Sequence, residues 1–338
     1  MHDHKLIIQP SINVPRVRRY DMNRIVHHAF EAMAGERLDA NETAAHVRSL
    51  TQVMAKPYEV KYPAIKWRDI FEINTSISTG AKAHTYMLYD QLGNADIVND
   101  LGGEFPNADT VGTETISTIK SIGSSYSYSI QDMRSAQFAG INLEAMKGVV
   151  ARKIIERKCD SLAAVGDARY GLTGIANYAG LNLVTKGVQT AGTTWATATP
   201  SEILADVNAL YNQVWSSSNG EHEPNTLLLG PTGFGRISTL RLDTFNMLTV
   251  LQYLKNSLPW LKRIDFWQPL ATASAGGKER IMLGEFGGET AQPVIPQDFE
   301  QFPPQAINLT FKILCHLRWG GMSVRYLNAF AAMDGTEP

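Results

Sequence analysis

Covalent staples are scarce in this sequence. Two cysteines in 338 residues, Cys159 and Cys315, cannot build a disulfide framework and predict synthesis in a reducing compartment. No apolar run approaches the roughly 20 residues that span a bilayer. No apolar signal stretch precedes Pro10, so the chain reads as soluble and made in the cytoplasm. An excess of one charge is missing too: 31 Lys and Arg stand against 33 Asp and Glu, a formal net charge of -2. That excludes a strongly basic nucleic-acid binder and an acidic solvating chain. Such weak self-repulsion suits a protein that packs against copies of itself. Hydrophobic residues at 44% and charged residues at 19% supply a sizeable core and exclude disorder.

Catalytic and metal-binding patterns are also lacking. Gly230-Pro-Thr-Gly-Phe-Gly-Arg236 falls between a predicted strand and a predicted helix, where phosphate-binding loops occur. It does not end in Gly-Lys-Ser/Thr, and Pro231 removes an amide donor, so it reads as a plain strand-to-helix turn. His27-His28 beside Glu31, and His222 between Glu221 and Glu223, have no i, i+4 ligand spacing. Cys315 and His316 are adjacent in a predicted strand and point to opposite faces, which excludes a nucleophile–base pair. Cys159 reads as a small core residue. With no Gly-x-Ser-x-Gly elbow and no paired carboxylates, the sequence predicts no enzyme, no cofactor and no metal site.

What is present is a sequence of distinct segments. Residues 1–60 predict an arm, extended at Pro10, Asn13 and Pro15, then two helices, near 21–35 and 41–55. It carries the one basic cluster, Arg16, Arg18, Arg19 and Arg24, which reads as a solvated face or as a surface for a polyanion. From Trp67 to about Gly112 the chain has strand chemistry with too few apolar residues for a core of its own. A β-arm of this kind needs an outside partner, so deletion of 78–90 should leave a folded protomer that fails to assemble. Residues 115–130 predict another strand. One uninterrupted helix is predicted over 142–166, with Leu143, Met146, Val150, Ile154, Cys159 and Leu162 as its apolar stripe and Lys147, Arg152, Glu156 and Asp160 between them. A glycine-rich stretch from 171 to 200 leads into alternating helices and strands, among them a strand at Thr226–Leu229 and a helix from Pro200. Alternation at Ile307, Leu309, Phe311, Ile313, Cys315, Leu317 and Trp319, then Gly320-Gly321, then Met322, Val324 and Tyr326, predicts a long terminal hairpin of 307–319 with 322–327.

This order of segments resembles the major capsid protein of tailed double-stranded DNA phages, the HK-ninety-seven fold. The resemblance rests on Gln131–Asp167 as the approach to a spine helix and on Tyr170-Gly-Leu-Thr-Gly-Ile-Ala-Asn177 as the connection after it. Asn225-Thr-Leu-Leu-Leu-Gly-Pro231 and Leu317-Arg-Trp-Gly-Gly-Met-Ser-Val-Arg-Tyr-Leu-Asn-Ala-Phe330 complete it. It implies an α+β class with an N-terminal arm (1–62), an extended loop (63–112), a peripheral domain (113–170 and 291–338) and an α/β axial domain (171–290). It further implies hexamers and pentamers in an icosahedral virion shell, portal and decoration or scaffolding partners, and packaged double-stranded DNA held by non-specific contact, with no membrane. An arm of about 60 residues before the loop argues against a removed prodomain. Candidate assembly or lumenal residues are Arg16, Arg18, Arg19 and Arg24 of the arm, Lys82, Asp96 and Glu104 of the loop, and Arg318 and Arg325 near the end. At least two of the four arm arginines are expected to face the lumen; pairing with Asp96 or Glu104 of an adjacent subunit is the alternative. Some members cross-link a loop Lys to a peripheral Asn; Lys82 and Asn328 are of those types, but that chemistry is confined to few members and is not carried over. An encapsulin-type compartment shell shares the fold, and absorbance of native particles at 260 nm separates the two.

Overall fold

The computed structural model describes residues 62–94, 107–184, 195, 197–243, 248–274 and 276–336. The two helices expected within 1–60 lie outside them. From Pro63 the chain enters α1 (Trp67–Ile70), a single turn that buries Trp67, Ile70 and Phe71. It then leaves the body as an antiparallel ribbon of β1 (Ala83–Leu92) and β2 (Asp109–Thr118), in unbroken register from Ala83↔Thr118 to Leu92↔Asp109. Ten residues per strand make roughly 33 Å. The ribbon therefore begins later than the expected loop, because residues 67–71 carry enough apolar surface to join the core.

The single strand expected at 115–130 is two elements, since β2 ends at Thr118 and β3 (Lys120–Ser129) returns along the body. A helix not foreseen from periodicity follows, α2 (Ile130–Phe138), started by a reciprocal capping box between Ser129 and Asp132. Asn142 then accepts a hydrogen bond from the Ala145 amide and caps α3 (Leu143–Ala164). This spine helix is unbroken over 22 residues, roughly 33 Å. Gly166 ends it at φ +76°, where a Cβ would collide with the Leu172 carbonyl, so only glycine fits.

The next segment forms one face of a second layer. It contains β4 (Asn182–Val184), α4 (Pro200–Ser217), β5 (Thr226–Leu229), α5 (Pro231–Thr239), α6 (Val250–Ser257), β6 (Arg263–Phe266) and β7 (Glu279–Gly284). Thr199 with Glu202, and Thr249 with Gln252, cap α4 and α6. Then come β8 (Ala291–Pro293), β9 (Gln297–Gln301), β10 (Gln305–Ile307), β11 (Thr310–Trp319), β12 (Met322–Val324) and β13 (Phe330–Thr336). A mixed sheet in the order β4-β13-β7-β5-β6 packs with α4, α5 and α6 around Val207, Leu210, Leu227, Leu229 and Ile281. A second core lies under α3, where Ile313, Cys315, Leu317 and Trp319 project from alternate positions of β11.

The expected hairpin of 307–319 with 322–327 does not form. β11 pairs along its whole length with β3, from Thr310↔Ser129 to Trp319↔Lys120, and on its other edge with β9 and β10. Asn308 at φ 54° turns the chain tightly between β10 and β11, so the alternation begins at Thr310. Gly320 and Gly321 exchange backbone hydrogen bonds with Val294, at 2.8 and 3.0 Å, and hand the chain to β8 instead. The same period-2 pattern fits either partner, and the turn geometry decides. β13 pairs with β7 and β4, so 330–336 lie in the mixed sheet, whereas the expected division grouped them with 291–338.

Candidate assembly surfaces

The ribbon is fixed at its root and bare beyond it. Tyr86 Oη donates to the Val324 carbonyl at 2.7 Å, Ser117 Oγ to the Gly320 carbonyl at 2.9 Å, and Arg318 Nη2 to the Ala81 carbonyl at 2.6 Å. Further out, Met87, Tyr89 and Ile116 share one face by register and stand 59%, 69% and 65% exposed. Tyr89 lies across from Gly112 and covers it, a cross-strand pair that stiffens the ribbon without burying it. Two strands with no third partner are marginal alone, and this exposed apolar face is suited to another surface.

The root holds an unusual group. His84 is buried, and neither ring nitrogen has a hydrogen-bond partner among the described residues. Burial lowers its pKa from the ordinary 6.5. The folded state thus binds the proton less tightly than the unfolded chain, so the stability of the root is full above about 6.5 and falls as pH drops below it. Protection factors of the β1 amides, with the slower intrinsic exchange at low pH divided out, should fall from pH 7 to pH 5, and His84→Leu should remove that fall.

The sequence-predicted candidates divide by position. Arg318 and Arg325 are engaged inside the protomer; Arg325 donates to the Gly288 carbonyl at 2.7 Å and to Gln292 Oε1 at 3.1 Å. Lys82 is exposed beside the ribbon root. Arg16, Arg18, Arg19, Arg24, Asp96 and Glu104 lie outside the described residues.

The spine helix is turned differently from its predicted stripe. Met146, Val150 and Ile154, expected in the core, are exposed at 53%, 45% and 49%, with Val149 beside them. Glu156 and Asp160, expected between apolar positions, are buried with Ala151, Ile155, Cys159 and Leu162. The reason is a set of donors that only tertiary structure supplies. Asp160 Oδ1 accepts from Trp267 Nε1 at 2.8 Å and from the Trp67 and Lys66 amides at 3.1 and 3.3 Å. Glu156 accepts from Trp67 Nε1 and from Arg68, whose guanidinium also holds Asp298 at 2.6 Å. Burial works against the Arg68 cation, but its two carboxylate partners raise its pKa on balance. For Asp160 burial wins over the three hydrogen bonds and raises the pKa. Two carboxylates are consequently buried within the packed face of the helix, while Met146, Val149, Val150 and Ile154 stand exposed.

Internal groups occupy the remaining motifs. The amide of Gly233, in the first turn of α5, donates to Glu279 at 3.0 Å, and Glu279 is buried. The place a phosphate would take at that helix start is already filled by a side chain of β7. A Cβ on Gly230 would overlap the Glu279 carboxylate and its Cγ. Gly230→Ala should therefore destabilise the protomer by about 1–3 kcal/mol, read from denaturant midpoints. Cys159 is fully buried and its thiol is pushed up to about 12, chiefly by burial, so it is an unreactive packing residue.

Comparison with known proteins agrees with this geometry. The family described as major capsid protein matches residues 93–336. No curated protein sequence matches the chain. The capsid of Myoviridae phage XM1 superposes with a TM-score of 0.75 at 15% identity, over 89% of this chain and 99% of that one. A structure from Microbacterium phage Oxtober96 gives 0.63 at 14% identity, over 87% and 98%. The virus-like particle from Pyrococcus furiosus gives 0.53 at 12% identity, over 79% and 91%. At these identities the likeness is one of fold.

Proposed function

The chain belongs to the major capsid protein family, and from that premise we propose how its surfaces build a phage shell. Its role is structural: copies of it form the virion capsid of a bacteriophage. The compartment-shell alternative is not favoured, because the matching family is that of major capsid proteins. In our reading the subunits form hexamers and pentamers around double-stranded DNA, with portal and decoration or scaffolding proteins as further partners. Residues 1–62 act as the arm, the ribbon at 83–118 as the extended loop, and the α3 layer and the mixed sheet as peripheral and axial domains.

A net charge of -2 gives no global field to offset duplex DNA, which carries one charge per about 1.7 Å. Charge segregation answers this, with Arg16, Arg18, Arg19 and Arg24 turned to the lumen in salt-sensitive, sequence-independent contact. Pairing of the four with Asp96 or Glu104 of a neighbour would make the cluster an assembly contact instead.

The observation that carries the assembly reading is the open apolar face of α3. Met146, Val150 and Ile154 recur at helical spacing without a cover among the described residues. Val150→Asp should change protomer stability by less than about 1 kcal/mol, since the position is exposed and Asp and Val have similar helix propensity. Closed particles in negative stain should nevertheless be lost. Normal shells from this variant would remove α3 from the assembly surface.

A further inference from the structure

The elbow where α2 meets α3 carries a knob and a groove that cannot serve each other. Phe138, at the end of α2, is 96% exposed, the largest value for any large hydrophobic residue among the described ones. On the other side of the same helix, Met133, Ala136 and Gln137 line a groove of about 380 Å³ closed by Tyr128, Ile141 and Leu143. Met133, Ala136 and Gln137 follow i, i+3, i+4 spacing and share one face. Phe138 falls roughly 100° or more from the middle of that face, on the side of Arg134, four residues before it. Phe138 therefore points away from the groove of its own chain.

Charge follows the same division. Arg134 stands beside the knob, and Glu144 stands on the rim of the groove at the start of α3. Both side chains are exposed, and neither has a hydrogen bond or ion pair among the described residues. An exposed apolar knob flanked by a cation thus matches an open groove with an apolar side of Met133, Ile141 and Leu143 and an acidic rim at Glu144.

We propose that Phe138 of one subunit docks into the α2–α3 groove of a second copy of this chain, with Arg134 meeting Glu144 of that copy. Each elbow presents both halves, so every copy can give one knob and receive another. It sits at the tip of the α2–α3 elbow and is distinct from the open α3 face and from the ribbon. The inference rests on the capsid reading, which supplies the many adjacent copies.

Cysteine pairing in assembled particles tests it. Phe138→Cys with Met133→Cys, two positions on opposite sides of α2 and too far apart to close within one chain, should yield a ladder of disulfide-linked subunits on a denaturing gel after mild oxidation. Phe138→Cys alone should stay monomeric, because Cys159 and Cys315 are buried. A disulfide-linked dimer from Phe138→Cys alone would place knob against knob and overturn the docking. Particles of the double variant that give no ladder would overturn it as well. A charge exchange provides a second arm: Arg134→Glu should lower the assembled fraction at least tenfold, and adding Glu144→Arg should recover most of it. No recovery would count against the pairing. Shells from the unaltered chain that fail these tests would overturn this contact alone, whereas no shells from the unaltered chain would overturn the capsid reading itself.

Discussion

Replacing Asp160 by Ala should destabilise the protomer by about 3–5 kcal/mol, enough to make much of it insoluble. Three donors lose their acceptor at once: the Trp267 indole and the Trp67 and Lys66 amides. A buried donor without a partner costs about 1–3 kcal/mol, and the three share one site, so their costs are not additive. The total is a large part of the 5–15 kcal/mol that domains usually possess. Asp160→Asn keeps an acceptor oxygen and should cost much less. Urea denaturation of the two variants checks the order. Because burial raises the Asp160 pKa, the wild-type carboxylate contributes less stability as pH rises through its folded value. Its neutral-pH value lies in accepting those donors, not in its charge. Equal losses in Ala and Asn would show that the acceptor is not what holds the 66–71 segment to α3.

Shortening the ribbon should have the opposite profile, a folded protomer with no shell. Joining Tyr86 to Thr115 through Asn-Gly removes 87–114 and keeps the register pair that a two-residue turn closes. The root contacts at Val324, Gly320 and Ala81 are retained. The deletion of 78–90 anticipated from sequence would remove His84, Tyr86 and the Ala81 carbonyl, and so confound folding with assembly. The described residues of that cut bury little area, so thermal unfolding should move by only a few degrees. Closed particles should be absent in negative stain. Assembly at the wild-type level would show that the ribbon does not bridge subunits.

Sequence by itself determined the elements whose patterns are local. The Thr226–Leu229 strand is bounded by turn residues, and Asn142 and Gly166 mark the ends of the spine helix in both sequence and structure. Period-2 alternation identified the buried side of 313–319, and the shortage of apolar residues marked the ribbon as an arm. Helical periodicity did not reveal α2, whose start the Ser129–Asp132 capping box marks. Tertiary structure decided the partners. Strand alternation does not say which strand is across the ladder, so the pairing of β11 with β3 depended on Gly320-Gly321 bonding to Val294. The orientation of the spine helix was not legible either. Glu156 and Asp160 read as surface until two indoles, two amides and Arg68, from segments about 90 to 110 residues away in the chain, make them cheaper to bury than Met146, Val150 and Ile154. A side chain's exposure depends on the partners the fold brings to it, and those partners are distant in sequence.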